Sequence, residues 1–231
     1  LLYCEMDDAQ RELYNRFLQE SRQKFSWIKS GSAGRFELLS SLLRMRQVCC
    51  DPALVEGSGN IRSAKMDLLK ELLLETIDSG HKVLLFSQFT SLLAIVRSWL
   101  DSEGILYEYL DGSTKDRMER VDSFNQHPEI PLFLLSLKAG GLGLNLTSAD
   151  TVILYDPWWN PAAEAQAADR THRIGQTRNV NIIKLLVKDS VEEKVLELQR
   201  RKADLFNDLV EASAESAASM SLEDFEFLLR D

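Results

Sequence analysis

The sequence predicts an α/β protein built on a parallel sheet with helices on both faces, flanked by helical segments at its two ends. Three observations carry that expectation. Short apolar runs alternate with helix-period segments through the middle of the chain. Those runs are apolar almost throughout instead of alternating with polar residues, as strands covered on both faces are. The stretches 1–62 and 189–231 show helix-period patterns and no such runs.

The elements follow in order. From Met6 to Ile28, apolar residues recur at helical spacing, with Leu13, Phe17 and Leu18 on one stripe. Gly31 and Gly34 interrupt it. A second helix runs through Phe36, Leu39, Leu42, Leu43 and Met45, so residues 1–50 read as helical. Asp51-Pro52 ends that helix, because proline disfavours helical backbone at the residue before it. Residues 51–62 read as a connecting loop. Ser63 is a good N-cap for a helix through Met66, Leu69 and Leu73, which Gly80 terminates. Strands are then expected at Lys82–Phe89, Ile105–Leu110, Pro131–Leu137, Thr151–Tyr155 and Val180–Leu186. Helices fall between most of them, at Ser91–Glu103, Thr114–Asn125 and Pro161–Arg173. Repeated strand–helix–strand units imply right-handed crossovers and a parallel sheet. A charged helix follows from Ser190 to about Asp208, and a short amphipathic one closes the chain. Three regions result: a helical lead-in or protrusion (1–62), a sheet-bearing lobe (63–188) and an acidic helical extension (189–231).

Composition narrows the function. The 231 residues are 45% hydrophobic and 27% charged, which is globular composition. No apolar run approaches the roughly 20 residues that a membrane helix needs, so no membrane partner is expected. The first residue is Leu1, without an initiator Met or a secretory signal, as in a piece of a longer chain. Cys4, Cys49 and Cys50 lack metal spacing, and His81, His127 and His172 are scattered, so no metal site is expected. The net charge of −9 argues against a simple basic nucleic-acid binder. Its distribution qualifies this. Residues 1–80 carry −1, 81–150 carry −3, 151–190 carry +1 and 191–231 carry −6. Most of the acidity thus belongs to the C-terminal extension.

In open α/β sheets, ligands bind beyond the carboxyl ends of the strands. Here those ends carry Ser87-Gln88, Asp111-Gly112-Ser113-Thr114, Ser136 with Lys138 and the glycines at 140, 141 and 143, then Asp156-Pro157-Trp158-Trp159-Asn160-Pro161. Hydroxyls, amides, glycines and a lysine on one edge suit an extended polyanion. Each piece also has a plain structural reading. Ser113-Thr114 suits a helix N-cap, the glycines match no nucleotide fingerprint, and the tryptophan pair suits a core. Gln166, Arg170 and Arg173 share one face of the helix after Pro161. Two guanidiniums on one face suit a triphosphate, while a solvated helix with Asp169 paired to Arg173 would give the same spacing.

The ordered series Val83–Phe89, Leu110–Thr114, Ser136–Leu146, Asp156–Pro161 and Gln166–Gln176 closely resembles the second helicase lobe of Swi/Snf-family DNA translocases, which are superfamily-two ATPases. Leu43–Pro52 resembles the helical run that leads into that lobe. The resemblance covers residues ~40–200 in the family's order. It implies a RecA-like three-layer fold that closes on a first lobe with Mg-ATP between them. Arg170 and Arg173 match the family's arginine fingers, and Gln166 matches the glutamine that holds that motif. Gly143 and Asn145 match positions near the nucleotide. Ser87, Gln88, Ser113, Thr114, Ser136 and Lys138 match positions that track DNA phosphates, with Lys138 standing where Arg is more usual. Trp159 matches an aromatic that touches the DNA strand. The phosphate loop and the D-E-x-H metal motif belong to the first lobe and are absent here. The implied function is therefore the second motor lobe of a DNA-stimulated ATPase that translocates on double-stranded DNA and remodels protein–DNA complexes. Its implied partners are DNA, the first lobe of the same full-length chain and a DNA-bound protein. Alone, the chain is expected to be inactive. The loop at Gln126–Ile130 and the tail at Ser221–Leu229 look like bacterial members, implying a cytoplasmic, nucleoid-associated protein; a eukaryotic one would be nuclear. Two other readings remain open: a non-catalytic docking module derived from this lobe, and a Rossmann-type nucleotide enzyme, which fits the strand–helix pattern but not the ordered motifs.

Overall fold

The structure, a computed structural model, describes residues 1–29, 34–136, 144–158, 180–206 and 221–230. Its elements are β1 (Leu2–Cys4), α1 (Asp8–Lys29), α2 (Arg35–Cys50), a 3-10 turn (Pro52–Leu54), α3 (Ala64–Asp78), β2 (Val83–Ser87), α4 (Thr90–Glu103), β3 (Tyr107–Leu110), α5 (Arg117–Gln126), β4 (Leu132–Ser136), β5 (Thr151–Leu154), β6 (Asn181–Val187), α6 (Val191–Phe206) and α7 (Leu222–Leu229). The chain divides into two compact units.

Among the described residues, the first unit holds 68–136, 144–158 and 180–185, with the first two residues. It contains most of a six-stranded sheet of order β1-β6-β5-β2-β4-β3. The pairs β2–β4, β2–β5, β3–β4 and β5–β6 are parallel, as the alternation of strands and helices requires. Every residue of β2, β4 and β5 is buried, which explains why these strands read as continuous apolar runs. On one side of the sheet Leu84, Phe86, Phe133, Leu135, Val152 and Leu154 pack with Val121 and Phe124 of α5 and with Trp158. Gly104 closes α4 in the left-handed region at φ 69°, and its N–H donates to carbonyls of that helix's last turn.

Among the described residues, the second unit holds 3–29, 34–67, 186–206 and 221–230. Leu13, Tyr14 and Phe17 of α1 share a core with Leu38, Leu42 and Met45 of α2, Val191 and Val195 of α6, and Phe225 and Leu228 of α7. Polar side chains tie its backbone ends. Gln10 donates to the Val48 carbonyl at 2.9 Å and accepts from the Ala64 N–H at 3.1 Å. The Tyr14 hydroxyl accepts the Val191 N–H at 2.8 Å, capping α6. Ser221 and Asp224 form a reciprocal capping box on α7.

The predicted starts and stops mostly hold. Ser63 accepts the Met66 N–H at 3.2 Å, and Asp51 leaves α2 in extended backbone with its side chain accepting from Ala53. Two expectations need correction. Residues 2–4 form a strand where helix was expected; the Cys4 carbonyl accepts the Lys188 N–H at 2.9 Å, a partner far away in sequence. And α5 begins at Arg117, not Thr114, because Asp111 draws Ser113 and Thr114 into a turn of their own. The helix expected at Pro161–Arg173 lies outside the described residues.

Candidate functional site

Register puts the candidate residues on one edge. Ser87 of β2 stands opposite Ser136 of β4, both at the carboxyl ends of their strands. Leu110 stands opposite Leu135, so the loop from Asp111 leaves at the same edge. Phe86 stands opposite Leu154, so Asp156 follows there as well. Sequence reasoning placed Ser87, Gln88, Ser113, Thr114 and Ser136 on this edge, and the sheet brings them to it. Gly143, Lys138, Trp159, Gln166, Arg170 and Arg173 lie outside the described residues.

The side chains of Ser87 and Gln88 are turned inward. The Ser87 hydroxyl donates to Asp156 Oδ1 at 2.6 Å and accepts the Phe89 N–H at 3.1 Å. The Gln88 side-chain amide donates to Asp156 Oδ2, and its backbone N–H lies 3.3 Å from both carboxylate oxygens. Ser87 and Asp156 are both fully buried. Both side chains therefore bond a carboxylate, Ser87 out of reach of solvent and Gln88 half-buried. Sequence reasoning gave Asp156 no role. The available signal was an acidic residue at the end of an apolar strand, just before a proline. Ser136 is also buried, and its hydroxyl has no hydrogen-bond partner among the described residues.

Among the described residues of this edge, the Asp111 loop is exposed at Gly112 and Ser113. Asp111 accepts from the Ser113 N–H at 2.8 Å, the Ser113 hydroxyl at 2.7 Å, the Thr114 hydroxyl at 3.2 Å and the Tyr109 hydroxyl at 2.8 Å. These donors, the Ser113 hydroxyl foremost, pull its carboxyl down to about 2. Arg117 straps the loop by donating to the carbonyls of Thr114 at 2.8 Å and Gly112 at 3.2 Å. Ser113 is exposed.

Asn145 is exposed, and its carbonyl accepts from the Asn125 amide at 2.9 Å. Trp158 is a core residue, edge-on to Phe86 with ring centroids 6.1 Å apart, which agrees with the plain reading of that aromatic. The three cysteines are free thiols; burial pushes Cys4 up to about 11 and Cys49 higher still, so neither is a nucleophile at neutral pH. Among the described residues, no group of three or more His, Cys, Asp or Glu side chains is placed to hold a metal ion, and no helix is long and apolar enough to cross a membrane.

The comparisons with known proteins agree with this architecture. The Helicase conserved C-terminal domain family matches residues 64–175. The C-terminal domain of the Sulfolobus solfataricus SWI2/SNF2 ATPase superposes with a TM-score of 0.75 at 31% identity, over 98% of this chain and 95% of that one. The ATPase core of the same organism's SWI2/SNF2 protein, in complex with dsDNA, gives a TM-score of 0.80 at 33% identity, over 98% of this chain and 48% of that one. The ISWI chromatin-remodeling complex ATPase ISW1 of Saccharomyces cerevisiae is 36% identical over 218 residues, which is 88% of this chain and 19% of that protein. The chain thus spans about a fifth of the length of such relatives. The α/β sheet is the RecA-like lobe that the resemblance implied.

Proposed function

Because the chain belongs to the Swi/Snf family of helicase-like ATPases, we propose that it is the C-terminal motor lobe of a DNA-stimulated ATPase that moves along double-stranded DNA and remodels protein–DNA complexes. The observation that carries this reading is the likeness to the SWI2/SNF2 core bound to dsDNA, which extends over nearly the whole chain. Arg170 and Arg173 reach across a cleft to ATP held on a first lobe and stabilise charge building on the γ-phosphoryl group. Gln166 holds that helix, and Gly143 and Asn145 line the nucleotide. The fit is to phosphate, not to the metal: residues 166–173 supply guanidiniums, and Mg2+ needs oxygen ligands that the first lobe would provide. Bound ATP supplies the free energy of phosphoryl transfer, and this lobe's residues bind, orient and release.

DNA is proposed to meet the exposed Ser113–Thr114 loop, Lys138 and Trp159, with Ser87 and Ser136 supporting that edge from beneath. Phosphate contacts of this kind are sequence-independent and weaken with salt. The protein is placed wherever its DNA is, nucleoid or nucleus. The deciding experiment is Arg173→Ala in the full-length protein. DNA-stimulated ATP hydrolysis should fall by about 10³ with DNA affinity retained. Unchanged hydrolysis would refute the finger role. A wild-type protein that binds DNA without hydrolysing ATP would favour a docking module instead.

A further inference from the structure

We propose that Asp156 is a positioning residue of the motor, the anchor that fixes where the segment bearing Arg170 and Arg173 leaves the sheet. This inference rests on the function proposed above. It begins with a cost. A fully buried carboxylate is unfavourable by several kcal/mol unless hydrogen bonds replace its water. Asp156 is repaid by the Ser87 hydroxyl at 2.6 Å, the Gln88 side-chain amide and the Gln88 backbone N–H at 3.3 Å. Bonds to an ionised acceptor are roughly twice as strong as neutral ones.

The geometry explains why a carboxylate stands here. The last paired position of β2 and β5 is Phe86 with Leu154, and the Tyr155 N–H still donates to the Phe86 carbonyl at 3.0 Å. At the next step the β5 chain turns away. The Asp156 side chain then accepts the Gln88 N–H in place of a strand carbonyl. An asparagine would present one acceptor and an NH2 group, and that NH2 would face the Gln88 amide donor. Pro157 follows with a fixed φ, and Trp158 is buried against Phe86. Three successive residues thus set the direction of the chain before it runs on to Arg170 and Arg173. A small error in that origin misplaces charged groups that act on a single phosphoryl group.

The test uses the full-length protein and three variants: Asp156→Asn, Gln88→Glu and the pair together. Each single change should lower kcat for DNA-stimulated ATP hydrolysis by roughly tenfold or more. The first sets donor against donor, and the second sets two carboxylates face to face. KM for ATP and the affinity for DNA should stay within about twofold, as for an interaction that matters in the transition state. The double variant restores a complementary pair and should recover most of kcat, a rescue that simple damage to the fold would not give. Full kcat in Asp156→Asn, or no recovery in the double variant, overturns the proposal. If Asp156→Asn fails to fold, Ser87→Ala removes one donor and keeps the carboxylate; an unchanged kcat there overturns it equally. Amide exchange separates this idea from the functional reading. If the wild-type protein lacks DNA-stimulated hydrolysis, the motor reading has failed. The anchor is then judged by the Gln88 and Phe89 amides, which must exchange faster in Asp156→Asn.

Discussion

Lys65 Nζ lies 2.5 Å from each carboxylate oxygen of Glu192, and neither side chain has any exposure. The pair joins the first turn of α3 to the first turn of α6. Glu192 also accepts the Val187 N–H at 3.0 Å. Burial works against the Lys65 ammonium, and the facing carboxylate together with the Cys50 and Cys49 sulfurs outweighs it, so the Lys65 pKa is raised. Burial pushes the Glu192 carboxyl up, with Lys65 pulling against it. A buried pair is costly to break because the survivor loses its directly bonded counter-charge. Lys65→Met should therefore lower the unfolding free energy by about 3–5 kcal/mol. Lys65→Met with Glu192→Leu should recover part of that loss, because Glu192 is then no longer buried without its Lys65 partner; the buried Arg46, which also draws the Glu192 carboxyl down, limits the recovery. Urea unfolding of the chain measures both, and a neutral Lys65→Met would refute the account.

The Asp111 loop should give an acid-dependent signal. Its folded pKa, about 2, lies below the ordinary value of 3.8. A depressed carboxyl contributes stability above the unfolded pKa and loses it as pH falls through the folded one. The contribution is therefore complete above about pH 4 and gone below about pH 2. Asp111→Asn should flatten the stability profile in that window and release the Ser113 amide to faster exchange. An unaltered acid limb would show that the loop does not depend on the carboxylate.

Gly104 offers a purely conformational test. Its φ is 69°, and nothing lies within 4 Å of where a Cβ would stand. Gly104→Ala therefore meets no clash, only the left-handed backbone penalty of about 1–2 kcal/mol. Gly104→Asn should cost less, since asparagine tolerates that region. Thermal unfolding of the two variants gives the order, and equal stabilities would contradict it.

The chain by itself should show no enzyme-level ATP turnover. Ordinary enzymes run at about 1–10³ per second. A coupled ATPase assay with Mg2+ and duplex DNA should read background on this chain and recover activity when a first lobe is added. Turnover at an ordinary rate from the chain alone would sink the two-lobe reading.

Much of the sheet was legible because its signals are local. Val83–Ser87, Leu132–Ser136 and Thr151–Leu154 are apolar throughout because both their faces are covered. Glycine and proline mark the stops at Gly80 and Pro52 for steric reasons that act within a few residues. The β1 strand was not legible. It has three residues, too few to show a period, and its pairing is long-range. The start of α5 was missed for a related reason: Ser113 and Thr114 look like caps, but a neighbouring aspartate uses their hydroxyls first.

The sequence alone determined the α/β class, the location of the strands β2 to β6, the family's ordered motifs and the concentration of negative charge in the last 41 residues. These depend on composition, periodicity and the order of motifs along the chain. The tertiary structure decided the strand order, the register that sets Ser87 beside Ser136, and the partners of Ser87, Gln88 and Lys65. Those depend on which distant segments meet, and a hydroxyl or an ammonium carries no mark of whether phosphate or a buried carboxylate will face it. Ser87 reads as a polar residue at a ligand-binding edge, and only the adjacent end of β5 reveals that it serves Asp156.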